Sequence, residues 1–452
     1  MKYDLLIKNG VIVSPSESLQ ANIAVKNGKI AAIGNEEFPA GEVVDARGQF
    51  VLPGVIDIHV HYREPGMTER DDFYHGSRAS AIGGCTTVFD MPNTLPPVDT
   101  AEHFAFKKQC IAGKSFVDYC LWGIIIGNDI SHIGELAECG IIAYKIFLGN
   151  SGGPFASPEE GALFEAFRQI EKTGLRVCVH AEDRGFSEYY EKKFELEGRN
   201  DYMDFDTARS NVSEALAVSR MAALAHFSGC KIHILHTSAK ESVAIGSIAR
   251  SNGIEMTLET CPQYLHFTKE DRLRFGSQLK AQPPVRTKED NEAMLQGLRD
   301  GAIQIVCSDT APHEKEKKMS DGPVWQIPSG IDISENMVSM MLDLVNAGKL
   351  TLSQYVRAAC ENPARMFGIY PKKGAIRIGS DADFTIVDMD KKVEVRAETS
   401  HYKQPFNLLD GCAFRGAPVY TILRGRVIAK DGEIVGEPGG EYFDRRDVAA
   451  AR

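Results

Sequence analysis

An acid, two imidazoles and a guanidinium occupy every second position of one short stretch, DIHVHYR at residues 57–63. The run VLPGVIDIHV has the composition of a buried strand, in which residues two apart point to the same face. Asp57, His59, His61 and Arg63 are therefore expected to face one interior. A His-x-His pair on a strand can chelate a borderline metal such as zinc, but a lone pair is more often a core or surface feature. The pair alone leaves a metal site and a structural role evenly matched.

Further ionisable residues stand in or just after other apolar runs, namely Lys145 in AYKIFL, His180 in VHAED, His236 in ILHTS and Asp309 in SDTAPH. Each has an ordinary alternative role. The lysine could extend to the surface, the histidines could be hydrogen-bonded core residues, and the aspartate could cap a helix or turn. His233, three residues before His236, is interpreted as structural. The joint occurrence of complementary ligand types on separate predicted strands favours a site.

The elements that must position these residues are eight short apolar runs, each separated from the next by a segment long enough for a helix. They span residues 51–61, 86–93, 117–126, 141–149, 175–183, 231–238, 255–265 and 302–313. Alternating strands and helices predict parallel βα units, and eight such units predict a closed (β/α)8 barrel of the TIM type within an α/β fold. Barrel enzymes carry their chemistry at the carboxyl ends of the strands, which is where the ionisable residues stand.

The two ends of the chain have a different pattern. Both alternate apolar and polar residues around Asn-Gly and Asp-Gly turns, which is typical of antiparallel strands. We interpret them as one small β-sandwich domain built from both termini. The predicted organisation is residues 1–50 as the first part of the sandwich, 51–368 as the barrel, 369–445 as the second part of the sandwich and 446–452 as a tail.

Composition narrows the class of partner. The 452 residues are 43% hydrophobic and 25% charged, with a net charge of -11, which argues against nucleic acid or an anionic membrane and favours a small-molecule substrate. The chain has no apolar run of roughly 18 to 20 residues and no secretory start, so a cytoplasmic location is expected. Its ten cysteines are scattered without a Cys-x-x-Cys pair, which indicates reduced thiols, and none is assigned a role.

Histidines, a lysine and an aspartate on one barrel rim are what a two-metal hydrolase needs. Two zinc ions about 3.5 to 4 Å apart can activate a bridging water and polarise a carbonyl. By position, one ion would be held by Asp57, His59 and His61 and the other by His180 and His236. Lys145 as an ammonium would repel zinc, so it could serve only if neutral or carboxylated on its amine, which would make it a bridging anion.

Motifs spread over nearly the whole chain carry a resemblance. They include DLLIKNG, D-x-H-x-H, VHAED, LHTS, ETCPQYL, PPVR, SDTAPH, NPARMFGIYPKKGAIRIGSDAD and RGRVIAKDGE. Together they resemble the cyclic amidohydrolases, the group that contains dihydroorotase, allantoinase and hydantoinase or dihydropyrimidinase. The resemblance implies two zinc ions per subunit, bridged by carboxylated Lys145, with ligands at His59, His61, Lys145, His180, His236 and Asp309.

The resemblance also implies roles beyond metal ligation. Asp309 would take the proton of a bridging hydroxide as it attacks the ring amide and deliver it to the leaving nitrogen. Asp57 would orient a ligand histidine without itself binding a metal ion. The habit of the family suggests a homodimer or homotetramer.

Three residues bear on which ring is opened. Dihydroorotase-like sites hold a substrate carboxylate with residues that correspond to Arg63, Asn93 and His313, and a guanidinium fork with two neutral donors is a good carboxylate receptor. The alternative is that Arg63 pairs with Glu64 or Glu182. This trio favours dihydroorotase, which converts L-dihydroorotate to N-carbamoyl-L-aspartate.

Other positions depart from the dihydroorotase pattern: Thr310, Gln263, Gln282 and, within IPSGIDISEN, Asp332 and Ser334. The runs CPQYL, WQIP and NPARMFGIYPKKG look more like hydantoinases. Hydantoinase or dihydropyrimidinase, or allantoinase, acting on another cyclic ureide is therefore the alternative.

Two other classes of function are weaker. A catalytically silent scaffold would lose ligands that this chain retains, and a one-metal deaminase would normally lack the bridging lysine. The segments LGNSGGPF and APHEKEKKMSDG follow Lys145 and Asp309 and are rich in glycine or charge. At least one of them is predicted to be a mobile lid.

Overall fold

The strands of the computed structural model, which describes residues 2–149 and 154–449, fall into an N-terminal set, a central set and a C-terminal set. The N-terminal set is β1 (Tyr3–Lys8), β2 (Val11–Val13), β3 (Ser18–Gln20), β4 (Asn22–Lys26), β5 (Lys29–Gly34), β6 (Ala40–Asp45) and β7 (Phe50–Pro53). The central set is β8 (Val55–Val60), β9 (Cys85–Asp90), β10 (Asp118–Leu121), β11 (Gly123–Ile124), β12 (Tyr144–Phe147), β13 (Arg176–His180), β14 (Lys231–Ile234), β15 (Met256–Thr260) and β16 (Ile305–Val306). The C-terminal set is β17 (Phe384–Glu394), β18 (Ala413–Leu423), β19 (Arg426–Lys430) and β20 (Glu433–Ile434).

The central strands form the barrel. They pair in parallel in the orders β10-β9-β8 and β11-β12-β13-β14-β15-β16. Because β10 pairs with β9 and β11 with β12, these two short strands on either side of Trp122 make up the third position of the barrel. A parallel bridge between Val60 and Thr310 joins the first position to the segment after the last strand. The predicted fold class, a TIM-type barrel with a β-sandwich domain, is confirmed.

Helices between the strands cover the outside of the barrel. The α-helices are α1 (Phe73–Ile82), α2 (Ala101–Ile111), α3 (Ile133–Cys139), α4 (Glu160–Thr173), α5 (Arg184–Leu196), α6 (Tyr202–Ala208), α7 (Asn211–Ser228), α8 (Lys240–Ser251), α9 (Gln263–His266), α10 (Arg272–Phe275), α11 (Lys288–Asp300), α12 (Lys315–Lys318), α13 (Met337–Asn346), α14 (Leu352–Val356), α15 (Asn362–Met366) and α16 (Arg446–Ala449). Short 3-10 turns lie at Lys269–Asp271, Gly276–Leu279, Val324–Gln326 and Ala397–Thr399, and a π-helical turn lies at Arg357–Glu361.

Helix α4 shows how the sequence specifies these elements. Leu163, Phe167 and Ile170 recur at three- and four-residue spacing and are buried against the barrel. The helix ends at Gly174, whose φ of +69° is a left-handed conformation that glycine adopts without steric cost. No helix in the described part of the chain is long and apolar enough to cross a membrane.

The strands of the two termini form two sheets, in the orders β5-β4-β1-β6 and β20-β19-β18-β17-β7-β2-β3. Their shared core is apolar and includes Leu5, Ile23, Val51, Phe384 and Ile422. The second sheet mixes strands from both ends of the chain, since β17 pairs with β7. The exact domain boundaries given above stay a prediction.

One strand differs from the sequence-based prediction. The run at residues 51–61 was expected to be continuous, but Gly54 divides it into β7, which joins the sandwich sheet, and β8, which opens the barrel. A Cβ at Gly54 would lie 2.1 Å from Oγ1 of Thr86, so only glycine permits this close approach between the two parts of the fold.

Candidate active site

The predicted ligand residues converge at the carboxyl ends of the barrel strands. His59 lies in β8 and His61 follows it, Lys145 lies in β12, and His180 ends β13. His236 follows β14 and Asp309 follows β16. All six line one cavity of about 620 Å³.

The donor atoms of these side chains are close together. Oδ1 of Asp309 lies 3.1 Å from Nε2 of His59 and 3.5 Å from Nε2 of His61. On the other side, Nδ1 of His180 lies 2.9 Å from Nε2 of His236. Single donor atoms of His59, His236 and Asp309 all lie within 4.8 Å of one another.

The backbone is strained at three residues that line this cavity. Arg63, His236 and Asp309 have φ values of +61°, +36° and +51°. A non-glycine residue rarely adopts this left-handed conformation, which costs of order 1 to 3 kcal/mol and is found preferentially at functional sites. The surrounding fold therefore imposes the direction in which these side chains point.

The donor set fits metal ions. Nε2 of His59 and Nδ1 of His236 are buried and make no hydrogen bond to a described residue, since Oδ1 of Asp309 is close to Nε2 of His59 but not in hydrogen-bond geometry. Such burial is costly unless another group satisfies the two atoms. Imidazole nitrogens with a carboxylate oxygen are ligands that zinc accepts. These residues are thus suited to hold metal ions.

Lys145 does not extend to the surface. Its side chain is 1% exposed and makes no hydrogen bond or ion pair with any described residue. Burial lowers its pKa to about 8, although the charges of Asp309 and Glu259 oppose this shift. The lowered pKa increases the fraction of neutral amine, which is the form that carboxylation requires.

Glu259 is a site residue that the sequence reasoning missed. This buried carboxylate at the end of β15 accepts from Nδ1 of His59 at 2.6 Å and from Nε2 of His233 at 3.0 Å. Burial alone would raise its pKa, but His59 and His233 hold it well below its usual range. Glu259 therefore fixes the His59 ring with Nε2 facing the cavity, and His233 has the structural role predicted for it.

We expect Glu259→Gln to weaken zinc binding about 10- to 100-fold, because the amide no longer supplies a charged acceptor to the His59 ring. Competition with a chromogenic chelator measures this change. Glu255→Gln, at an exposed position just before β15, is the control. Equal zinc affinity in wild type and Glu259→Gln would contradict the role.

Asp57 does not contact a histidine ring. Its Oδ1 accepts from the backbone N–H of Ser308 at 3.0 Å and from that of His59 at 3.3 Å. The orientation of the His59 ring, which the sequence analysis assigned to Asp57, comes from Glu259 instead. Asp57 links β8 to the segment that carries Asp309, so its contribution is to the backbone.

Arg63, Asn93 and His313 line the same cavity as the histidines. Nη2 of Arg63 lies 3.4 Å from Nε2 of His313, and Nε of Arg63 donates to the carbonyl of Pro312 at 3.1 Å. Oδ1 of Asn93 is buried without a hydrogen-bond partner. The structure therefore brings the predicted trio to one cavity, with Arg63 next to His313.

The alternative partners of Arg63 are engaged elsewhere. Glu64 pairs with Lys114 and accepts from the backbone N–H of Phe73. Glu182 pairs with His180 and Arg209.

Asp332 is an unusual buried acid whose charge interacts with Arg63. Neither of its carboxylate oxygens has a hydrogen-bond partner among the described residues, and burial raises its pKa to about 7 in spite of the opposing charges of Arg63 and Lys318. Ser334, the other position at which the sequence departs from the family pattern, is also buried.

A raised pKa in the folded state predicts that stability falls as pH rises from about 4 to about 7, because the folded protein binds this proton more tightly than the unfolded chain. We expect Asp332→Asn to remove this loss and to increase the free energy of unfolding by roughly 1 to 3 kcal/mol at pH 8, with little effect at pH 4. Chemical denaturation at both pH values measures the difference. Asp390→Asn, at an 85% exposed side chain, is the control, and an equal gain at both pH values would contradict the explanation.

Of the two segments predicted to be lids, only APHEKEKKMSDG lies fully within the described residues. Residues 150–153 of the other, LGNSGGPF, lie outside them. The segment APHEKEKKMSDG is anchored: Nζ of Lys318 donates to the carbonyls of Lys280 and Pro328, and the backbone N–H of Lys315 donates to Gln404. Whether either segment moves stays a prediction.

A comparison with protein families matches residues 50–428 to the model of the amidohydrolase family. The chain is 34% identical to an L-hydantoinase of Paenarthrobacter aurescens over 100% of both chains. It is 35% identical to an allantoinase of Solibacter usitatus over 97% of this chain and 96% of that protein.

Among solved structures, that of the L-hydantoinase (dihydropyrimidinase) from Arthrobacter aurescens superimposes with a TM-score of 0.94 at 34% identity. The superposition covers 97% of this chain and 99% of that one. The resemblance to cyclic amidohydrolases is confirmed, although these relatives carry the names of the alternative rather than of dihydroorotase. The chain belongs to the amidohydrolase family.

Proposed function

We propose that this protein hydrolyses an amide bond in a five-membered cyclic ureide of the hydantoin or allantoin type. The observation that carries the proposal is full-length similarity to a hydantoinase and an allantoinase, combined with a cavity that retains every predicted ligand residue. Allantoin is the hydantoin ring with a ureido substituent, so one ring-opening site can in principle act on both. Dihydroorotase, favoured by the sequence analysis, becomes the second candidate.

The proposed cofactor is a pair of zinc ions. His59, His61 and Asp309 would hold one ion. His180 and His236 would hold the other ion. Lys145, carboxylated on Nζ, would bridge the two ions. When bound, the ions would lower the pKa of a water molecule and polarise the ring carbonyl.

Asp309 is the proposed proton carrier. Burial would raise its pKa, but His59 and His61 hold the pKa below its usual range, so the carboxylate is ionised near neutral pH. It would accept the proton of the attacking water and deliver it to the ring nitrogen as the carbon–nitrogen bond breaks. The products of the reaction are a carboxylate and a ureido group on one open chain.

The second candidate is L-dihydroorotate, a six-membered ring that bears a carboxylate. Arg63, Asn93 and His313 in the cavity favour an anionic substituent, because a guanidinium binds a carboxylate through charge-assisted hydrogen bonds. The same residues would also offer hydrogen bonds to the carbonyl oxygen of the ureido group of allantoin.

We expect Arg63→Met to separate the two candidates. Loss of a buried guanidinium should lower kcat/KM for L-dihydroorotate roughly 10- to 100-fold, while kcat/KM for unsubstituted hydantoin changes less than about threefold. Steady-state assays of zinc-loaded protein on hydantoin, allantoin and L-dihydroorotate measure this difference. Arg70→Met removes another guanidinium from the same cavity, and an equal selective loss in that variant would assign the effect to the general charge of the cavity.

A small-molecule substrate accords with the cavity that the site residues line. The absence of a nucleic acid or membrane partner stays a prediction from the sequence. Assembly as a homo-oligomer and a cytoplasmic location stay predictions from the sequence.

A further inference from the structure

We infer that Arg209 is a positioning residue that holds His180 in its metal-binding orientation through Glu182. The inference rests on the proposed two-metal function and assigns a role in metal binding to a buried arginine that is not itself a ligand. Arg209 follows α6 and is 2% exposed.

Arg209 reaches His180 through a single carboxylate oxygen. Nη1 of Arg209 lies 2.9 Å from Oε2 of Glu182, and the same oxygen lies 2.8 Å from Nε2 of His180. An imidazole nitrogen that donates to a carboxylate carries the proton, so the other ring nitrogen keeps its lone pair. The arrangement therefore presents Nδ1 of His180, the atom 2.9 Å from His236, as the ligand atom.

The arginine is itself held from several directions. Nη2 lies 2.8 Å from Oε1 of Glu191 on α5, so the guanidinium spans two carboxylates. Its backbone carbonyl accepts from Nη1 of Arg286 at 3.0 Å, and Arg286 also contacts Glu214 and Ser238. A lysine has one charged nitrogen and could not hold both carboxylates in this geometry.

The contact compensates a buried charge. The side chain of Glu182 is fully buried, and its Oε2 is paired with the guanidinium of Arg209. Without Arg209 this carboxylate would lose an ion-pair partner and would no longer be held against Nε2 of His180. The acceptor that fixes the His180 ring would then be lost.

The test measures metal retention on the full chain. Wild type, Arg209→Met and Arg209→Lys are loaded with zinc and titrated with a chelator of known affinity, and the zinc per subunit is measured by mass spectrometry. Arg272→Met is the matched control, since Arg272 forms a buried ion pair with Asp206 at 2.7 Å but does not line the cavity.

We expect wild type and Arg272→Met to retain two zinc ions per subunit. Arg209→Met should lose one ion at about 10- to 100-fold lower chelator concentration, as for other residues that orient a ligand histidine, with Arg209→Lys between the two. Circular dichroism checks that each variant is folded. If Arg209→Met unfolds, Arg209→Lys decides the question, because the lysine keeps the charge but cannot hold both Glu182 and Glu191. It should lose one zinc ion at a lower chelator concentration than wild type, and resistance equal to that of wild type would overturn the role.

The outcomes are distinguishable. Two equally resistant zinc ions in wild type, Arg209→Met and Arg209→Lys would overturn the role of Arg209 and leave the proposed function intact. An equal loss in Arg272→Met would assign the effect to general destabilisation and overturn the role as well. Wild-type protein that retains no zinc would overturn the proposed function, and the role of Arg209 with it.

Discussion

Asp309→Asn is expected to lower kcat for ring opening roughly 10²- to 10⁴-fold, which is the range for loss of a general acid–base group. Asparagine keeps the shape of the side chain and one oxygen that can face His59 and His61. It cannot accept a proton from the attacking water, so the leaving nitrogen is not protonated. Steady-state assays on the best ring substrate give the rate, and zinc analysis gives the metal content of the same sample.

The control for this variant is Asp290→Asn, which alters a buried carboxylate that caps α11 and does not line the cavity. It is expected to change stability without a comparable loss of rate. Asp309→Asn protein that retains its zinc and more than about a tenth of the wild-type kcat would contradict the assignment of the proton-transfer role to Asp309.

Lys145→Ala should remove most of the zinc and lower activity by at least about 10³-fold, because the ions would lose their bridging anion. Short-chain carboxylic acids should restore part of both, since the cavity left by the lysine can admit a carboxylate in place of the carboxylated amine. Zinc analysis and activity across a range of propionate concentrations measure the rescue.

A second buried lysine serves as the control. Lys107 pairs with Asp90 outside the cavity, so Lys107→Met removes a buried ammonium without touching the site. It should lose stability but keep its zinc. Full zinc content in Lys145→Ala, or equal zinc loss in Lys107→Met, would contradict the bridging role.

The barrel could be predicted from the sequence because each of its strands is a local apolar run and the intervening helices have local periodicity. Convergence of His59, Lys145, His180 and Asp309 then follows from topology, since parallel strands present their carboxyl ends at one rim. The break at Gly54 could not be predicted in this way, because its cause is Thr86, a residue on the next barrel strand.

The residues that orient the ligands were harder to find for the same reason. Glu259 lies 200 positions from His59, and nothing local to ETCPQYL indicates which ring it contacts. Alternation along the strand suggested that Asp57 faces the same way as His59, yet its carboxylate bonds to backbone amides. Contacts between distant strands decide such roles, and periodicity carries no information about them.

The substrate was harder to predict for a different reason. Arg63, Asn93 and His313 favour dihydroorotase because they would contact the ligand directly, whereas the hydantoinase-like runs favour the alternative. These three residues are a small part of the cavity lining, whereas the similarity to the relatives extends along the whole chain. The trio therefore bears on which substituent the substrate carries, whereas the full-length similarity bears on which ring is opened.

The most direct test of the account is ring opening of hydantoin and allantoin by purified protein, before and after removal of metal with a chelator. The account predicts hydrolysis of at least one of these rings, loss of activity on chelation and recovery when zinc is added back. Activity that survives complete removal of metal, or zinc-loaded protein that opens neither ring, would contradict it.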